Sequence, residues 1–165
     1  HRYFVNGIKY DRLILSSFNG QNIKLVYSSN LISHYYWLNN NSIVVYMKDN
    51  QNKLGYKVFS FNDEIISYNL NFISNFGDGH PNAFRNYIIF DTYPDRSRMK
   101  QLYLYNLNFG DLIKIGEFFE PLSFNSETRC DLHPRWSTLG SSIFIDSVHF
   151  GYRKLYVLVL DNENR

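Results

Sequence analysis

Apolar residues along this chain come in short runs of about four to seven, broken by Asn, Gly, Asp and Ser rather than recurring at helical spacing. The pattern predicts strands at residues 2–5, 13–17 and 22–27, then at 34–38, 43–46, 56–61 and 64–68. The first run ends at Asn6-Gly7, and Phe18-Asn19-Gly20-Gln21 reads as the turn of a hairpin between residues 13 and 27. Further strands are expected at 86–91, 102–107 and 112–116, and finally near 133–137, 142–147 and 154–160.

These runs repeat. Asp78-Gly79-His80-Pro81 and Asn86–Asp91 return as Asp131-Leu132-His133-Pro134 and Ser141–Asp146. His80 and His133 are 53 positions apart, as are Tyr103 and Tyr156. Short strands at a period near 50 are the sequence sign of a β-propeller. The expected fold is all-β, a β-propeller of four-stranded antiparallel blades with about three and a half present. Its blade units fall near 1–29, 30–70, 71–120 and 121–165, the first lacking its innermost strand and the last its outermost. An open array leaves an apolar flank in water. The expectation is therefore a fragment of a larger ring, its missing blades supplied by the same or another chain; a four-bladed ring closed by its ends is the alternative.

Composition agrees with strands. The chain has 14 Tyr and 14 Phe but a single Ala, Ala83, while twenty Asn supply turn residues. A net charge of +2, scattered along the chain, gives no nucleic-acid footprint. No apolar run reaches the roughly 18 residues of a membrane span. The lone Cys130 forms no internal disulfide and does not choose between cytoplasm and periplasm. The chain opens on His1, as a processed or truncated end would.

The fourth unit, Pro134-Arg135-Trp136-Ser137-Thr138-Leu139-Gly140-Ser141-Ser142-Ile143-Phe144-Ile145, continues with Gly151, Leu155-Tyr156 and Asp161. It resembles the TolB-type WD-like propeller repeat, P-x-W-S-P-D-G-x-x-I-x-F followed by G and L/I-Y-x-x-D. Thr138-Leu139 replaces the usual Pro-Asp of the turn. The third unit has Ala83 where Trp is expected, and the second keeps Trp37, Ile43 and Tyr46. The resemblance implies a fold used by binding scaffolds and enzymes alike. The His-Pro element also resembles the oligogalacturonate lyases, similar propellers in which histidines at one channel mouth hold a divalent metal that engages a uronate carboxylate during β-elimination. That family carries a second His two positions before the His-Pro, where this chain has Asp131.

His34, His80 and His133 each open an innermost strand in this register. Alternation would place Asp131, His133 and Arg135 on one strand face. Asp78 and His80 stand in the equivalent place one unit earlier, so these residues are expected to converge on one ligand. His34 has Ile32 two positions before it and reads as structural. His80, His133 and Asp131 are the candidate ligands of a divalent metal, manganese or calcium.

Asp78, His80, Arg96, Arg129, Asp131, His133, Arg135 and His149 form the candidate substrate-binding set. Arg129 or Arg135 would meet a sugar carboxylate in catalysis. Asp91 and Asp146 end second strands and either brace the following loops or contact ligand. Two functions are expected: a saccharide-handling propeller binding an acidic glycan at the channel mouth, to which the lyase resemblance would add metal-assisted elimination, or a non-catalytic scaffold for a protein partner.

Overall fold

The computed structural model describes residues 1–61, 66–70 and 76–160. Every sheet in it is antiparallel, and no α-helix occurs among the described residues. Among the described residues no helix is long and apolar enough to cross a membrane. The chain divides into two compact units, His1–Tyr35 with Asn41–Asp78 and Tyr36–Asn40 with Gly79–Arg165.

Strands β1 (Arg2–Val5), β2 (Ile8–Leu15) and β3 (Lys24–Ser29) form a three-stranded meander. Strands β4 (Ile32–Asn39), β5 (Ser42–Lys48), β6 (Leu54–Ser60) and β7 (Ile66–Leu70) form a four-stranded one. The tight hairpin lies at Asn6-Gly7, not at Asn19-Gly20. Val5 pairs with Ile8 across the two turn residues, whose φ angles are 49° and 79°, the left-handed pair that a type I′ turn needs. Leu15 pairs with Lys24, so Asn19-Gly20 belongs to a longer loop over residues 16–23. Leu13, Val26, Ile43, Val45, Met47 and Phe59 form this unit's core. Of the strand expected over 64–68, Glu64 and Ile65 lie outside the described residues, as does Asp161 of the repeat pattern.

The second unit contains the sheet β11-β10-β9-β8 and the three-stranded sheet β12-β13-β14. Its strands are β8 (Asn82–Phe84), β9 (Tyr87–Asp91), β10 (Met99–Asn106), β11 (Leu112–Phe119), β12 (Arg135–Trp136), β13 (Ser142–Ser147) and β14 (Lys154–Val159). The hairpins β2–β3 and β10–β11 match even in their irregularity: each carries a register shift, after Leu13 and after Leu102. Ile89 and Leu102 pack with Leu132, Ile143 and Ile145, and Trp136, Tyr156 and Leu158 close around them.

A polar staple holds the long connection into β12. Glu120 and Lys100 are both fully buried and paired at 3.0 Å. Glu120 also takes Arg98 at 2.9 Å and the Cys130 N–H at 3.0 Å, while Lys100 donates to the Cys130 carbonyl. The backbone that delivers Asp131 is thereby fixed in place. Cys130 is buried beside it, and burial pushes its thiol pKa up, away from reactivity.

Candidate functional site

Asp91 is the last residue of β9 and is 1% exposed. Burying a carboxylate is costly unless its oxygens are bonded. One oxygen accepts the His80 backbone N–H at 2.6 Å and the other accepts the His133 N–H at 3.1 Å. Nδ1 of His80 lies 3.0 and 3.1 Å from the same two oxygens. Gly79 makes room for this. A Cβ there would stand 1.9 Å from the Asp91 carbonyl oxygen, so any side chain would force the two segments apart.

The strand expected near 133–137 is reduced to Arg135–Trp136. His133 departs from it with φ 43°. This is the left-handed region, uncommon outside Gly but one that His enters more often than most residues. It costs about 1–3 kcal/mol and persists because the surroundings hold it, here through the Asp91 bond. Strict alternation of Asp131, His133 and Arg135 therefore fails. The bend instead brings the His133 ring against His80, centroids 4.2 Å apart and planes at 62°. One donor atom each from His80, Asp131 and His133 lies within 4.8 Å of the others.

The His133 side chain is half exposed; its partial burial above all, and then His80, lowers its pKa below the ordinary histidine value, against the opposing pull of Asp91, Asp131 and Asp146. The neutral imidazole keeps a lone pair for a ligand.

Both arginines expected to read a carboxylate are engaged. Arg129 forks onto Asp131, Nε to Oδ1 at 2.7 Å and Nη2 to Oδ2 at 2.8 Å, with its guanidinium 4.5 Å from the Tyr93 ring centre. Arg135 donates to the His133 carbonyl and to Asp146, each at 2.9 Å. Asp146 thus braces the inner strand rather than the loop after it. Arg153 of that loop donates to the Arg129 carbonyl at 3.1 Å.

Asp78 belongs to the first unit, where it accepts the Ser33 hydroxyl at 2.6 Å and meets His34 Nδ1 at 3.1 Å. Arg96 is exposed in the turn between β9 and β10. His149 is packed by Phe118, Phe150 and Tyr156, with Nδ1 2.8 Å from the Ser147 hydroxyl. The role of Asp91 was not readable from sequence, although Gly before His80 hints at a close backbone approach. Tyr93, edge-on to His80 at 5.9 Å, gave no sequence signal.

Two imidazoles and a carboxylate suit zinc, manganese or ferrous iron. They suit calcium poorly, since it takes six to eight oxygens. Of the two metals expected from the sequence, manganese suits this donor set and calcium does not. The carboxylate pinning His80 Nδ1 supplies the outer support such ligands need.

Solved structures show the same fold. TolB from Acinetobacter baumannii superposes with a TM-score of 0.65 at 15% identity, covering 93% of this chain and 36% of that one. A putative TolB from Agrobacterium tumefaciens gives a TM-score of 0.52 at 10% identity, over 87% and 64%. This chain therefore spans about a third of the first structure's length and under two thirds of the second's. At such identities the likeness defines a class by fold alone: TolB-type and propeller-like. No protein-family model matches the chain, and no curated protein matches it.

Proposed function

We propose that the chain is a segment of a TolB-type propeller acting as a non-catalytic scaffold for a protein partner, with blade units near 1–29, 30–70, 71–120 and 121–165. The observation that carries this reading is the pairing of Arg129 with Asp131 and of Arg135 with Asp146. The lyase reading asks one of these two arginines to meet the sugar carboxylate, and in this structure both serve internal carboxylates instead. Protein docking asks for no such cation.

Further sheets are supported by the face of β14 that bears Leu155, Val157 and Val159, exposed at 57%, 51% and 76%. The corresponding Leu102 on β10 is fully buried. An apolar sheet face of this kind fits packing against a further sheet, from the same or another chain.

A second reading rests on the donor geometry: His80, His133 and Asp131 hold a divalent metal, which would supply Lewis-acid polarisation of a bound oxygen. Incubation with oligogalacturonate and manganese separates scaffold from lyase. The scaffold reading expects no rise in the ultraviolet absorbance of a C4–C5 double bond; a sustained, enzyme-dependent rise contradicts it.

A further inference from the structure

We propose that Arg129 is the built-in counter-cation of the His80–Asp131–His133 donor set, and that a divalent transition metal binds there by displacing it from Asp131. The inference rests on the metal-holding reading of those three residues.

Arg129 occupies both oxygens of Asp131, at 2.7 and 2.8 Å. A carboxylate has about four lone-pair positions, so the fork leaves room for a metal bond but places a positive charge beside it. Two like charges sharing one carboxylate in a partly buried site repel each other. The metal and the guanidinium therefore compete for one carboxylate.

The local structure lets the guanidinium leave without unravelling the site. Backbone on either side is held: the Cys130 N–H donates to Glu120, its carbonyl accepts from Lys100, and the Arg129 carbonyl accepts from Arg153. The Arg129 side chain is 40% exposed against 10% for Asp131. What holds it, besides Asp131, is the face of Tyr93 together with the more distant negative charge of Glu120. A swing toward water exposes the guanidinium and leaves Asp131 and the two imidazoles in place. Metal binding thus also converts an internally neutralised Arg129 into a cation offered to solvent.

The test is a calorimetric titration of the metal-free chain with Zn²⁺ alone, repeated with Co²⁺ while following its visible absorption. Arg129→Gln keeps a donor for Asp131 and removes the charge; it should bind at least about tenfold tighter than the wild type. Arg129→Met serves the same comparison if the Gln variant unfolds. Arg129→Lys, still charged but unable to fork, should fall between. His80→Ala and His133→Ala should each abolish the Co²⁺ spectrum. Zn²⁺ binding that is equal or weaker in the uncharged Arg129 variants overturns the role of Arg129 and leaves the donor set standing. No binding to any variant, or binding that survives loss of both histidines, overturns the donor set as well.

Discussion

His80 and His133 meet ring to ring, centroids 4.2 Å apart, although 53 positions separate them in the chain. The contact is made by neither histidine alone. Asp91 takes one backbone N–H from each segment and orients His80 through Nδ1, so one buried carboxylate joins the openings of β8 and β12.

Asp91→Ala should therefore be among the most damaging single changes in the second unit. It leaves two part-buried backbone donors without an acceptor and costs about 2–4 kcal/mol. Asp91→Asn keeps one acceptor oxygen and should cost clearly less. Chemical denaturation of both variants measures the difference, and equal losses would argue against the double bond.

Gly79→Ala tests the same junction sterically. The added Cβ meets the Asp91 backbone rather than a flexible side chain, so relief requires movement of the chain. A loss of about 1–3 kcal/mol is expected. A variant as stable as wild type would mean that the approach of residue 79 to Asp91 is looser than described.

The staple beneath Cys130 gives a third prediction. Lys100→Met removes one cation from a fully buried Glu120, which retains Arg98. The loss should be about 3 kcal/mol, the low end for breaking a buried pair. It should be accompanied by faster proteolysis in the connection over residues 120–130. Intact protection of that connection would show that the staple does not hold it.

His149 makes stability pH-dependent. Burial, and secondarily Lys100, lowers its pKa below the ordinary value near 6.5. Its neutral form is thus favoured when folded, and below about pH 6.5 the unfolded chain binds the extra proton first. Stability falls as pH drops through that value toward the depressed folded pKa, and is unaffected above it. His149→Phe, which keeps an aromatic ring among Phe118, Phe150 and Tyr156, should flatten part of the acid-side decline in melting temperature. An unchanged slope would remove His149 from the account.

Much of the fold was legible because strand runs and turn residues are local properties. The hairpin over Met99–Phe119 and its earlier counterpart could be matched from residues alone, and both exist. The candidate site was legible only in part. The His80–His133 pairing followed from the repeat, but its geometry did not, because alternation assumes an extended chain and His133 is left-handed. Arg129 and Arg135 looked available to a ligand because sequence shows charge and not pairing. Asp91 and Asp146 invited the same loop-bracing expectation, yet one clamps histidines and the other holds Arg135. Those choices depend on contacts between distant segments, which no window of sequence contains.

The orientation of the His80 imidazole is the most direct test of the clamp. An ionised carboxylate can only accept, so Nδ1 of His80 must carry a proton, and in the neutral imidazole Nε2 then presents its lone pair. Long-range ¹H–¹⁵N spectra at neutral pH should show His80 in the Nδ1–H tautomer, shifting toward the Nε2–H form in Asp91→Asn. A wild-type His80 already in the Nε2–H tautomer would contradict the clamp and the site built on it.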